Sequence, residues 1–163
     1  MLKLYKRHAN QLHYWEYWET GPKQGVIHWG VVGERGERED VKAPSVAAFQ
    51  ALLDDQTAAK RQEGFAEPAK EYDLIIEYPV KRMTAKHLDK LVRLEERLDQ
   101  LLGWAGLGHC DGHGHGFGMM DISCVVVDFE LAKRLIEAEA EYTEFARYSS
   151  IRLQERHDEE QDA

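Results

Sequence analysis

The chain has 163 residues, 43% of them hydrophobic and 31% charged, with two cysteines and a formal net charge of −9. That is enough chain for one ordinary domain or two small ones, and too little for a β/α barrel of about 250 residues. The composition is that of a globular protein, not the Pro/Ser/Gln-rich profile of a disordered chain.

The charge is uneven. Residues 1–70 carry ten basic and ten acidic side chains, so the whole excess of −9 falls in residues 71–163. An acidic second half is repelled by nucleic acid and by anionic membrane surfaces. The apolar run Cys124–Val127 spans four residues, against the ~20 a transmembrane helix needs. MLKLYKRHANQLHYW lacks the apolar core of a secretory signal. Cys110 and Cys124 form neither a disulfide framework nor a zinc clip. A cytoplasmic protein with reduced thiols and no membrane partner is the expectation.

In chain order, His13–Thr20 is an aromatic-rich strand with Tyr14, Glu16 and Trp18 on one side. Gly21-Pro22 marks a turn, and Val26–Val32 is a second strand by β-branched content. Gly33-Glu34-Arg35-Gly36 turns the chain, and Glu37–Lys42 returns as a third strand. Ser45 is suited to cap a helix whose apolar face is Val46, Phe49, Leu52 and Leu53 and which Gly64 ends. After the short linker 66–70 the pattern restarts. Tyr72–Tyr78 reads as a strand. Thr84 caps a helix with Leu88, Leu91, Val92, Leu98, Leu101 and Leu102 inward, stopped by Gly103. A weaker strand, 104–111, leads into the glycine-rich segment 112–118. Met119–Val127 then turns Met120, Ile122, Cys124 and Val126 to one side. Asp128 caps a helix with Leu131, Leu135 and Ile136 inward, and 145–153 is a last strand.

The predicted fold class is α+β: a small antiparallel sheet plus helix over 1–66, a ferredoxin-like βαββαβ sandwich over 71–153, and a polar tail over 154–163.

Three stretches carry a family resemblance. They are Tyr14-Trp15-Glu16, His28-Trp29-Gly30-Val31-Val32-Gly33-Glu34-Arg35-Gly36-Glu37, and Lys60-Arg61-Gln62-Glu63-Gly64-Phe65. Together they resemble a WGR domain, over roughly residues 3–66. Trp29 and Gly30 match the first two letters of the family triplet, Gly33 and Gly36 the turn glycines, and Lys60, Gly64 and Phe65 the helix end. Val31 stands where the family has arginine. The resemblance implies contact with nucleic acid, or with a nucleic-acid-associated protein, through tryptophan and basic side chains. Here those residues are Trp29, Lys23, Arg35 and Arg38. The resemblance is closer to small bacterial proteins with no polymerase attached. Residues 107–118 and the strand after them resemble uncharacterised bacterial ferredoxin-like domains, which implies a fold and no activity.

Each candidate site has a plainer reading beside it. Trp15, Trp18, Trp29, Tyr14 and Tyr17 can present a stacking face worth about 1–3 kcal/mol per base, or can fill the core of a small sheet. Glu34, Glu37, Glu39 and Asp40 sit among the arginines and oppose phosphate binding. His109, Asp111, His113 and His115 are a candidate zinc or iron ligand set. The same segment also reads as a hairpin connection whose glycines supply positive φ. His109 and Cys110 are adjacent and point to opposite faces of a strand, so no thiol–base pair forms there. No triad or cofactor fingerprint is complete.

The function expected is therefore that of a non-enzymatic binding protein. Nucleic acid is its first expected partner. A basic protein docked on acidic helices, as in an inhibitor or immunity protein, is the second. A metal or small-ligand sensor built on the 109–115 loop, with no resident cofactor otherwise, is the third.

Overall fold

The computed structural model describes residues 1–154. The expected polar tail, apart from Gln154, lies outside the described residues. The chain divides into two compact units, Met1–Ala69 with Trp104–Gly106, and Lys70–Gly103 with Leu107–Ala163.

Unit 1 is a four-stranded antiparallel meander followed by a helix: β1 (Leu2–His8), β2 (Gln11–Gly21), β3 (Gln24–Val31), β4 (Glu37–Lys42) and α1 (Val46–Gln62). β1 is additional to the strands read from the sequence. Its register on β2 sets Leu2 opposite Tyr17 and Leu4 opposite Trp15, and β3 sets Ile27 opposite Tyr17 and Trp29 opposite Trp15. Opposed residues in an antiparallel ladder share a face, so one face is an apolar block. Leu4, Trp15, Ile27 and Val41 pack there with Phe49 and Leu53 of α1, and Trp29, Tyr17, Leu52 and Phe65 lie against them, partly buried.

Ser45 caps α1, its hydroxyl accepting from Ala48 N at 3.1 Å. The helix closes as a Schellman turn. Phe65 N donates to Lys60 O and Gly64 N to Arg61 O, both at 3.0 Å, with Gly64 at φ 97°. Val46, expected inward, is 58% exposed. It belongs to the first turn, ahead of the part of the helix that covers the sheet.

Unit 2 runs β5 (Tyr72–Pro79), α2 (Ala85–Trp104), β6 (Gly108–Gly116), β7 (Met119–Val126), α3 (Phe129–Ala140) and β8 (Ser150–Gln154). Its sheet has the order β6-β7-β5-β8, with every neighbour antiparallel. The protein is thus of the α+β class, with two antiparallel sheets and three helices. Leu74, Ile76 and Tyr78 share a face with Met120, Ile122, Cys124 and Val126, and all seven are buried.

α2 lies against this face. Lys90 Nζ is 4.8 Å from the Tyr78 ring centroid, and Asp99 Oδ1 accepts from Cys110 N at 2.9 Å. The buried residues of α2 are Leu91, Leu94, Leu98 and Leu102. The sequence pattern counts Leu88 and Val92 inward and omits Leu94, whereas Leu94 is buried and the other two are exposed. The helix rotates so that the 91-94-98-102 stripe faces in, and it passes Gly103 to end at Trp104. Asp128 caps α3 through Leu131 N at 2.9 Å. Ala132, Ile136 and Ala140 are its buried line, so Leu131 and Leu135 flank the interior instead of filling it.

The glycine-rich segment is not a loop. Residues 108–116 pair with β7 along their length, and the turn is confined to Phe117-Gly118. Backbone hydrogen bonding needs no side chain, so alternating glycine forms an edge strand when a neighbour supplies the ladder. Among the described residues no helix is long and apolar enough to cross a membrane.

Candidate functional site

The second face of the unit 1 sheet carries a polar row among Tyr5, Tyr14, Trp18 and Val26. That row crosses all four strands: Lys3 lies opposite Glu16, Glu16 opposite His28, and His28 opposite Arg38. Glu16 and His28 are 4% and 1% exposed. A charge so deeply buried must be paired and hydrogen-bonded, and Glu16 is. Its carboxylate receives Lys3 Nζ at 3.0 Å on one oxygen and His28 Nδ1 at 2.7 Å on the other.

His28 Nε2 lies 2.6 Å from the Arg35 carbonyl oxygen and 3.0 Å from the Tyr14 hydroxyl. A bare nitrogen lone pair does not face a carbonyl oxygen at that distance, so Nε2 donates, and Nδ1 donates to the carboxylate. Tyr14 donates its own hydroxyl to the Arg35 carbonyl at 2.9 Å. Burial, then the charges of Glu16 and Glu34, push the Tyr14 phenol well above its usual range, which keeps that proton in place.

Glycine allows the turn to sit on this network. Gly36 has φ 68°, and a Cβ there would lie 2.2 Å from Trp29 O and 2.3 Å from the Tyr14 hydroxyl. The Gly30 position approaches the Gly36 Cα to 2.7 Å in the same sense. The glycine spacing around Trp29 is therefore the spacing that folds a turn onto Tyr14.

Aromatic rings close the far side. Trp104 and Trp18 stand edge-on to His28 at 5.0 and 6.0 Å between centroids, and to each other at 6.0 Å. The guanidinium groups of Arg35 and Arg38 lie 5.2 and 6.0 Å from the Trp104 ring, within range of a cation–π attraction.

The four residues expected to touch nucleic acid do not converge. Arg35 and Arg38 meet over Trp104. Trp29 belongs to the opposite face and packs against the α1 core. Lys23 sits in the β2–β3 turn, bound through its backbone to Ala43 N at 2.9 Å. Arg38 also pairs with Asp40 at 3.3 Å, and Glu34, Glu37, Glu39 and Asp40 are all exposed around the arginines. Of the five front-half rings, Tyr14 and Trp15 are fully buried and Tyr17 and Trp29 lie against the core.

The histidine set is divided too. His113 and His115 pair with Ile122 and Met120, on the helix-covered face, while His109 pairs with Val125 on the other. A bulge between Cys110 and Gly112 takes Asp111 out of the period-two series that was expected to align it with His113 and His115. His113 Nδ1 is instead 2.5 Å from Glu95 Oε2 on α2. Among the described residues no group of three or more His, Cys, Asp or Glu side chains is placed to hold a metal ion.

Comparison with models of known families, with curated proteins and with solved structures returned no match. Lys3, Glu16, His28 and Trp104 are the site residues that sequence reasoning did not single out as a group. The available signal was a polar Glu and His on strands otherwise filled with large rings. Their common row follows from strand register, which needs β1 as well.

Proposed function

We propose that this chain is a non-enzymatic binding protein of the cytoplasm, with a WGR-like unit 1 and a ferredoxin-like unit 2, and that it engages a basic protein surface. One observation carries the reading. The indoles of Trp15 and Trp29 pack on the face that α1 covers, while Glu34, Glu37, Glu39 and Asp40 stand exposed along the turn and the edge strand β4. By sequence, residues 71–163 carry the whole of the chain's excess negative charge. Such a surface steers and orients a cationic partner and repels anionic ones. An inhibitor or immunity-type protein acts in this way.

The test is binding to immobilised cationic proteins of known structure at low and moderate salt. Retention should fall steeply with salt. It should also fall about tenfold when Glu34, Glu37, Glu39 and Asp40 are neutralised together to Gln and Asn. Retention that is absent, or unchanged in that variant, removes the reading.

A second reading keeps the nucleic-acid function that the WGR resemblance implies, and the stacking of Arg35 and Arg38 on Trp104 favours it. It predicts a gel shift of nicked or single-stranded DNA at low salt that is lost in Arg35→Ala. No shift at about 50 μM protein, within the range of ordinary non-specific affinities, ends it.

A further inference from the structure

The acidic row, the arginine stack and the separated histidines leave one pair of reactive side chains unused. Cys110 and Cys124 are directly opposed across the β6–β7 ladder, with 3.2 Å between their sulfurs. That is inside the roughly 3.5–4.0 Å of an ordinary non-bonded contact and about 1 Å from the ~2.05 Å of a disulfide bond. Opposed residues of an antiparallel pair hold their Cα atoms at about 4.5–5.5 Å, within the span a disulfide bridges.

Three local features favour closure. β6 is an edge strand, held on one side only. The bulge begins at Cys110 itself. Gly108 and Gly112 flank that cysteine. The two thiols also differ in access: Cys110 is partly exposed, whereas Cys124 is buried completely.

We infer that Cys110 and Cys124 are a thiol-oxidation site, closed to a cross-strand disulfide by a small disulfide such as oxidised glutathione. Cys110, the accessible partner, loses its proton to solvent, and its sulfur attacks one sulfur of glutathione disulfide. A mixed disulfide forms and one glutathione thiolate leaves. Cys124 then gives up its proton, and its sulfur attacks Cys110 Sγ. The Cys110–Cys124 bond forms, the mixed disulfide breaks, and the second glutathione leaves. Two protein thiols lose two electrons, and one glutathione disulfide becomes two glutathione thiols, which take up the two protons.

The pair rests in the reduced form. The hydrogen bond to Cys124, burial and the nearby carboxylates of Asp99 and Glu95 push the Cys110 thiol well above its usual range. Thiolate is therefore scarce and the first step is slow at neutral pH.

The full chain is incubated in glutathione buffers from reducing to strongly oxidising, alkylated and digested with trypsin. Arg97 and Lys133 are the nearest cleavage sites, so both cysteines fall in the single peptide Leu98–Lys133. The expected product is that peptide unalkylated and lighter by two hydrogens, about 2 Da. Unit 2 should also melt about 10–25 °C higher by calorimetry, as closing a loop of this length implies. In Cys124→Ala the glutathione adduct should persist on Cys110. The wild-type peptide decides the matter even if that variant does not fold. Two alkylated cysteines under the most oxidising buffer, or a glutathione adduct that never resolves in the wild-type chain, would overturn the inference.

Discussion

Removing the Glu16 carboxylate is the most direct probe of unit 1. In Glu16→Leu, His28 Nδ1 loses its acceptor at 2.7 Å, and at 1% exposure it has no water to replace it. Lys3 loses its partner at 3.0 Å, but its side chain is 17% exposed and rehydrates in part. A charge-assisted hydrogen bond contributes about 1.5–3 kcal/mol, and an orphaned buried donor costs about 1–3 kcal/mol more. Allowing for Lys3, the expected loss is about 3 kcal/mol, at the lower end of what breaking a buried ion pair costs. His28→Leu should cost about as much, since it leaves the buried Oε1 of Glu16 without its donor and takes one donor from the Arg35 carbonyl, with Lys3 still paired to Oε2. The double variant Glu16→Leu/His28→Leu removes both members and leaves neither uncompensated, so its loss should also be near 3 kcal/mol, against about 6 for independent effects. All four tryptophans, Trp15, Trp18, Trp29 and Trp104, belong to unit 1. Three of them, Trp15, Trp18 and Trp29, lie on its strands, so urea unfolding followed by tryptophan fluorescence is weighted to this unit. A loss below about 1 kcal/mol in Glu16→Leu, or a double variant equal to the sum of the singles, would refute the paired-charge account.

Three further outcomes follow from local geometry. Gly36→Ala, with φ 68° and a Cβ 2.2 Å from Trp29 O, should cost about 2 kcal/mol or more, whereas Gly103→Ala, in α2 with nothing within 4 Å, should gain about 0.5–1 kcal/mol; urea curves followed by fluorescence for the first and by far-UV circular dichroism for the second give the two signs. Phe117 is fully exposed at φ 49° in the two-residue β6–β7 turn, where Asn or Gly is preferred. Phe117→Asn should raise stability by about 0.5–1 kcal/mol in thermal melts. The Arg61 guanidinium, 2.5 Å from Glu67, holds that carboxyl down to about 2. A depressed carboxyl favours the fold above its unfolded pKa and loses that contribution as pH falls toward 2. An NMR titration should show this midpoint, and Arg61→Ala should return it to the ordinary carboxylate range.

Much of the architecture is written in short-range pattern. Ser45 and Asp128 as caps, Gly64 as a helix stop, and the inward line Met120, Ile122, Cys124 and Val126 depend on residues within a few positions of each other. The same local logic fails where a partner strand decides. His113-Gly-His115 has no β-forming pattern of its own and becomes a strand because β7 supplies the ladder. The 91-94-98-102 stripe prevails over Leu88 and Val92 because the helix rotates to fit the sheet it covers.

The candidate site was less legible. Caps, turns and periodicity operate through covalent neighbours, and the amino-acid sequence determined them together with the acidic balance of the second half. Three juxtapositions depend on register across strands or on contacts between distant segments: Lys3 with Glu16 and His28, Arg35 over Trp104, and Cys110 against Cys124. A one-residue slip in register would move each strand's side chains to the other face. Those pairings exist only once packing has chosen which faces are buried, and so the tertiary structure alone decided them.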